Sequence, residues 1–227
     1  MSGRLFVVSS PIGNLEDLTA RAARALAEAD LVACEDTRRS GRLLAHLGLD
    51  KKLVSMHDHN EAQRLPFLVE ALEKGMTIAV LSDAGTPLLS DPGFLLVREA
   101  AARGIAVEPI PGPSAVLASL VASALPPYPF TFAGFPPHTR KKRRRFLRRF
   151  RDLDHTVIFF ESPHRLLASL EDVLAELGDR PAAVCRELTK LHEEVLRGSL
   201  SEIADELAGR PSLKGEFVVV VGRSASG

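Results

Sequence analysis

Apolar and polar positions along the first half of the chain alternate between two periods. Short apolar runs at 5–9, 31–34, 53–56, 77–82 and 105–109 read as strands, and the stretches between them repeat their apolar residues at helical spacing. Thr19 supplies an N-cap for an Ala-rich helix over 20–29, and a second helix runs over 39–47 and stops at Gly48. Asn60 supplies the cap of a third helix that runs to Lys74, and a fourth covers 94–103. Strands alternating with helices predict a layered α/β sheet with helices on its faces.

Pro109-Ile110-Pro111-Gly112-Pro113 cannot continue a helix or a central strand, so it marks a boundary between domains at 1–112 and 113–227. The second half opens with Ser114 capping a helix to Ala124. Strands at 130–135, 156–160, 182–185, 193–197 and 217–221 follow, with helices at 140–151, 164–177 and 200–207. The fold class is α/β, with two α/β domains.

Composition narrows the class. At 227 residues, 45% hydrophobic and 26% charged, the chain has ample material for two globular cores. The first apolar run is too short for a signal peptide, and no stretch approaches the length that spans a bilayer, so a cytoplasmic protein with no membrane partner is expected. Cys34 and Cys185 lie far apart with no C-x-x-C pairing, which predicts two buried thiols rather than a disulfide or zinc framework. The formal net charge of +0 is a sum of opposites: 140–151 holds nine Lys or Arg and no acid, leaving −9 on the rest of the chain. A block that dense usually faces a polyanion.

The densest chemistry follows the strand at 77–82. Ser82-Asp83-Ala84-Gly85-Thr86-Pro87-Leu88-Leu89-Ser90-Asp91-Pro92-Gly93 is a loop of small, turn-forming and acidic residues at a strand's carboxyl end, where α/β sheets bind ligands. Gly85 and Gly93 permit unusual backbone conformations, while Pro87 and Pro92 fix φ and remove N–H donors. Neither G-x-x-x-x-G-K-[ST] nor an opening G-x-G-x-x-G is present, so the phosphate-cradling loop and the ordinary dinucleotide fold lack their residues. From the residues alone the ligand stays open.

Six motifs in order carry a resemblance. They are Ser9-Ser10-Pro11-Ile12-Gly13-Asn14-Leu15, Cys34-Glu35-Asp36-Thr37-Arg38, the Asp83 loop, Pro111-Gly112-Pro113-Ser114-Ala115, Phe160-Glu161-Ser162-Pro163-His164-Arg165 and Cys185-Arg186-Glu187-Leu188-Thr189-Lys190. Together they resemble the ribosomal RNA small subunit methyltransferase I family, which methylates a cytidine ribose 2′-oxygen of 16S rRNA, within the tetrapyrrole methylase superfamily. The resemblance runs from the first strand to Lys214-Gly215-Glu216-Phe217. It implies a homodimer of two-domain α/β chains that binds S-adenosyl-L-methionine in a cleft between domains. Precorrin methyltransferases of the superfamily usually read Gly-Asp-Pro where this chain reads Asp83-Ala84-Gly85-Thr86-Pro87, which points to the RNA branch. Longer family members continue past the last strand.

The resemblance also implies site residues. Backbone groups of Asp83, Ala84, Gly85 and Thr86 are placed to bond the cofactor, with the Asp83 carboxylate better suited to binding than to proton removal. By superfamily position Pro11, Leu89, Ser114, Ala115, Phe160 and Glu161 also line its cleft. Transfer to a ribose hydroxyl aligns oxygen, carbon and sulfur and needs a proton acceptor. Glu35, Asp36, Glu161, Glu187 and Lys190 are the candidates, each in a motif at a predicted strand end, although Glu35–Arg38 and Glu187–Lys190 could equally be structural ion pairs. His57-Asp58-His59 lacks a second ligand cluster, so no metal is expected and His57 is a further candidate acceptor.

For the basic run the expectation is RNA backbone contact through Arg140, Lys141, Lys142, Arg143, Arg144, Arg145, Arg148 and Arg149, with Arg165 as a separate phosphate ligand. Phe146 and Phe150 share a helix face and should anchor it, leaving the arginines outward with no counter-acid. The partner expected is therefore 16S rRNA or the 30S subunit. Two rivals stand beside this reading: a small-molecule, tetrapyrrole-like methyltransferase, which has no need of the basic segment, and a non-catalytic RNA-binding assembly factor.

Overall fold

A computed structural model describes residues 3–223. The chain divides into two compact units, Met1–Ser114 and Ala115–Gly227, two residues past the boundary expected at 112. The first unit keeps those two residues because its own loop packs on them: a Cβ on Gly85 would lie 3.7 Å from the Pro113 carbonyl oxygen.

The first unit is a five-stranded, wholly parallel sheet in the order β3-β2-β4-β1-β5, built from β1 (Arg4–Val8), β2 (Leu31–Cys34), β3 (Lys52–Ser55), β4 (Ile78–Leu81) and β5 (Ala106–Ile110). Because successive strand residues point to opposite faces, Leu5, Leu31, Ile78 and Val80 pack under α3 (Glu61–Glu73) and α4 (Phe94–Ala102), while Phe6, Val8, Val32 and Leu81 pack under α1 (Ala20–Glu28) and α2 (Thr37–His46). Burial on both faces is why β2 and β4 read as unbroken apolar runs.

Thr19 caps its helix as expected, whereas α2 starts earlier than expected and Asn60 makes no cap bond. Thr19 accepts the Ala22 N–H at 3.0 Å, as its position predicts. Helix α2 begins at Thr37 rather than 39, because the Asp36 carboxylate accepts the Arg38 N–H at 2.8 Å and starts the turn early. Asn60 does not cap α3: its Oδ1 accepts the His57 N–H at 2.8 Å and its amide donates to the Ser55 carbonyl, closing the turn that precedes the helix.

The second unit carries a mixed sheet in the order β6-β7-β10-β8-β9, from β6 (Phe130–Phe132), β7 (Thr156–Glu161), β8 (Pro181–Arg186), β9 (Glu194–Ser199) and β10 (Phe217–Val221). Only β6 and β7 pair in parallel; the other three pairings are antiparallel. One core joins Val157, Phe159, Val184 and Val219 to α6 (Arg140–Leu147), α7 (Leu166–Leu177) and α8 (Leu200–Ala208), and α5 (Ala115–Ser123) buries Val116 and Leu120. Both cysteines are buried free thiols. No helix among the described residues is long and apolar enough to cross a membrane.

Candidate active site and basic helix

The parallel sheet of the first unit delivers the loops after β1, β2, β3 and β4 to one edge, its carboxyl edge. Ser10 and Gly85 pair as an isolated antiparallel bridge, and the Ser10 hydroxyl donates to the Ser82 carbonyl at 3.0 Å. The Ser82 hydroxyl in turn donates to the Gly85 carbonyl at 2.9 Å, and Ser9 Oγ to Thr86 Oγ1 at 3.4 Å. Loop 82–93 is therefore stitched to the first loop, which carries Pro11, by hydroxyl and backbone bonds. It also stores strain: Leu88 and Ser90, neither of them glycine, sit at φ +71° and +73°. The backbone N–H groups of Ala84, Thr86 and Leu88 have no hydrogen-bond partner among the described residues.

The acids of this edge converge. The Asp83 carboxylate accepts the Asp36 N–H at 3.1 Å and stands 3.6 Å from Arg39 Nε, which binds the β4 loop to the start of α2. Burial pushes the Glu35 carboxyl up, and Asp83 and Asp58 add to the rise by repulsion. Asp91 is affected most: burial first, then the charges of Glu35, Asp83 and Asp58, push its carboxyl up to about 7. Asp91 is absent from the sequence-derived candidates because its turn, Asp91-Pro92-Gly93, reads as punctuation; only its burial and the approach of Asp83 from its own loop and of Glu35 and Asp58 from two others mark it out. Glu61 is a second unforeseen group. Its buried carboxylate accepts the Gly93 and Leu95 N–H groups at 3.0 and 2.8 Å, capping α4 in place of a local side chain. His57 sits on the same edge after β3, its Nδ1 buried without a partner among the described residues and its ring edge-on to His59 at 6.1 Å.

In the second unit, Phe160 and Glu161 end β7. Phe160 packs edge-on against Phe132 at 4.9 Å, while the exposed Leu89 and the residues Ser114 and Ala115 belong to other segments, the last two at the junction of the units. The Glu161 carboxylate is buried and accepts the Ser162 N–H at 2.8 Å, the Ser169 hydroxyl and the Arg165 guanidinium. Arg165, offered by the sequence to phosphate, is turned inward and also donates to the Pro136 carbonyl at 3.1 Å. These contacts clamp the β7–α7 turn. At the same sheet edge, Glu187 Oε1 accepts from Lys190 Nζ at 2.8 Å and from the Glu216 N–H at 2.9 Å. The Lys190 hydrogen bond is the main reason the Glu187 carboxyl lies below its ordinary range. Glu187 itself holds φ +51°.

The basic run corrects the expectation of unopposed, outward arginines. It folds as α6 followed by a 3-10 turn, Arg148–Phe150, and Phe150 is buried with Phe146 packed edge-on at 5.1 Å, the anchoring that their spacing predicts. The counter-acids come from α7. Asp172 takes Arg140 and the buried Arg143, and Glu176 takes Arg144, Arg148 and Arg151. Two acids four residues apart share one face of α7, so they meet one face of α6. Arg143 is only 4% exposed and belongs to this packing rather than to the surface. Lys141, Lys142, Arg145 and Arg149 are exposed, with no acidic partner among the described residues.

The family model for Tetrapyrrole (Corrin/Porphyrin) Methylases matches residues 4–204. The chain is 50% identical over 219 residues to the ribosomal RNA small subunit methyltransferase I of Halalkalibacterium halodurans, covering 96% of this chain and 75% of that protein. It is 45% identical over 223 residues to the protein of the same name from Haemophilus influenzae, covering 97% and 79%. Among solved structures, a diphthine synthase superposes with a TM-score of 0.74 at 18% identity, over 97% of this chain and 90% of that one. A Thermus thermophilus uroporphyrin-III C-methyltransferase in complex with S-adenosylhomocysteine superposes at 0.67 and 21%, over 96% and 97%. The chain therefore belongs to the ribosomal RNA small subunit methyltransferase I family of the tetrapyrrole methylases, and it is an S-adenosylmethionine-dependent methyltransferase.

Proposed function

We propose that this methyltransferase acts on the 2′-hydroxyl of a cytidine in 16S rRNA, naked or in the 30S subunit. S-adenosylmethionine, when bound, supplies an electrophilic methyl group on a sulfonium. The residues at the carboxyl edge of the first unit fit that group. Ala84, Thr86 and Leu88 keep backbone donors without partners among the described residues, and Gly85 keeps the loop clear of a Cβ that would crowd Ile12 Cγ2 at 3.3 Å. Pro11, Asp83, Ala84, Gly85, Thr86 and Leu89 would hold it from this unit. Ser114, Ala115 and Phe160 are the further residues of the reading, whereas the Glu161 carboxylate keeps its neighbours in place.

Methyl transfer to a hydroxyl oxygen requires that oxygen to lose a proton, and a base matched to the working pH contributes about 10²- to 10⁴-fold. Glu35 and Asp91 are the carboxylates whose surroundings raise their proton affinity, so they are the acceptors we favour. Glu187, held ionised by Lys190, is a weaker base and suits a positioning role. The cations of α6 would contact RNA phosphates, which fixes the register of the RNA without reading its bases.

What carries the reading is identity of 45–50% over nearly the whole chain to proteins named for small-subunit rRNA methylation, joined to a surface helix of exposed cations. The test is transfer of labelled methyl from S-adenosylmethionine to purified 30S subunits and to deproteinised 16S rRNA, followed by nucleoside identification. Recovery of 2′-O-methylcytidine is expected; label in neither RNA, with cofactor binding intact, overturns the reading in favour of a small-molecule acceptor. A homodimer is part of the same proposal and is checked by mass in solution.

A further inference from the structure

The arginines on the α7 side of α6 are not merely neutralised; they are held by one particular atom. Arg140 donates Nε to Asp172 Oδ1 at 3.1 Å, Arg144 donates Nε to Glu176 Oε1, and Arg148 donates Nε to Glu176 Oε2 at 2.7 Å. The three residues are spaced by four, so they form one row along the α6 segment. Nε is the guanidinium nitrogen nearest the stem. Arg140 and Arg144 make no further side-chain hydrogen bond among the described residues, and Arg148 makes one more, through Nη2 to Glu176. Their remaining terminal nitrogens therefore stay available in a fixed plane. Arg140, Lys141, Lys142, Arg144, Arg145 and Arg148 line a groove of about 800 Å³.

The chemistry of the two acids is unusual for a surface that binds anions. Asp172 and Glu176 have side chains 0% and 1% exposed, and Arg143 buries its guanidinium against Asp172 beneath the row. The Arg148 hydrogen bond, followed by that of Arg144, outweighs burial and holds the Glu176 carboxyl at about 2, so it is ionised at any working pH. An arginine fixed by Nε offers its outer edge as a two-pronged donor to a phosphate, and it has already lost the rotamer freedom that binding would otherwise take.

We infer that Asp172 and Glu176 are positioning residues that hold Arg140, Arg144 and Arg148 as a pre-organised clamp for consecutive phosphates of an RNA backbone. The inference rests on the RNA reading above and adds to it a role for two acids on the neighbouring helix. It differs from simple charge attraction in the sign of one effect. Attraction by net charge alone makes RNA bind more tightly when Glu176 loses its charge; the clamp makes it bind more weakly, because the arginines lose their hold.

The experiment is the affinity of the full chain for deproteinised 16S rRNA, measured by filter binding across a salt series, with melting temperature recorded for every variant. Glu176→Gln is expected to weaken binding despite the added positive charge. Arg144→Lys with Arg148→Lys, which keeps the charge and the fold's surface but not the forked donor, is expected to lower affinity about tenfold with an unchanged salt slope. In methyl transfer, the KM for RNA rises in this double variant while that for S-adenosylmethionine stays constant. Lys141→Ala with Lys142→Ala is the charge control and reduces the slope by roughly 0.7 to 0.9 for each phosphate that is no longer neutralised. Tighter binding by Glu176→Gln, or wild-type affinity in the double lysine variant, overturns the clamp while leaving the RNA reading intact. A wild-type chain whose RNA binding ignores salt, together with an inert lysine pair, overturns both.

Discussion

Ser10 and Gly85 exchange two backbone hydrogen bonds, Ser10 N–H to the Gly85 carbonyl at 2.9 Å and Gly85 N–H to the Ser10 carbonyl at 3.0 Å. Residues 75 positions apart are thereby locked into one short antiparallel bridge between loops of a parallel sheet. Gly85 can take part because it sits at φ +80° with Ile12 close to where a side chain would begin.

Gly85→Ala is expected to destabilise the chain by about 1–2 kcal/mol through the left-handed backbone alone. It should also weaken S-adenosylmethionine binding, since the loop must shift to accommodate a methyl group beside Ile12. Urea unfolding and titration calorimetry check the two halves separately. Unchanged cofactor affinity in a destabilised variant would remove loop 82–93 from the cofactor site.

Asp91 predicts a pH effect of definite sign. Its carboxyl is raised from an ordinary 3.8 to about 7, so the folded state holds the proton more tightly than the unfolded state does. Stability contributed by this group is full below about pH 4, declines as pH rises to about 7 and is flat above. Asp91→Asn should gain on the order of 1 kcal/mol at pH 8, after discounting for solvent screening, and gain nothing at pH 4. If Asp91 is also the proton acceptor, the same variant loses about 10²- to 10⁴-fold in kcat. Denaturation at the two pH values and a pH–rate profile separate these outcomes.

Arg165→Met removes the only cation paired with the Glu161 carboxylate among the described residues, and that carboxylate stays buried with two hydrogen-bond donors. Breaking a buried pair from one side costs about 3–5 kcal/mol, so a large fall in the urea midpoint is expected, with partial recovery in Arg165→Lys. A destabilisation below about 1 kcal/mol accompanied by weaker RNA binding would restore Arg165 to the phosphate surface.

Glu187→Gln distinguishes a positioning acid from a base. A structural Glu187 predicts retained activity within about tenfold, because the amide oxygen still accepts the Glu216 N–H, whereas a general base predicts a fall of about 10²- to 10⁴-fold. Its lowered carboxyl contributes stability above the ordinary glutamate range that is lost as pH falls below about 4.5, and this acid-side dependence should shrink in the variant. Gly215→Ala offers an independent check, since a Cβ there would stand 2.6 Å from the Glu187 side chain at φ +102°.

Much of the architecture was legible along the chain for identifiable reasons. The strands Leu31–Cys34 and Phe217–Val221 match their apolar runs residue for residue, because a strand buried on both faces has no polar interruption to blur its ends. Thr19 was legible because its cap bond spans three residues. Asn60 was not, because its side chain had two local partners to choose between and took the turn behind it.

The alternation of strands and helices, the loop chemistry at 82–93 and the density of charge at 140–151 were all readable from residue order, because each is a property of neighbours along the chain. Which of those charges are available, and which acids hold a proton, emerged only from the folded arrangement. Asp172 and Glu176 meet arginines 25 to 32 residues away, and Asp91 owes its shift to burial first and then to nearby acids, two of them on other loops. Coulomb interaction and desolvation depend on distance through space and on burial, and neither is encoded in spacing along the chain.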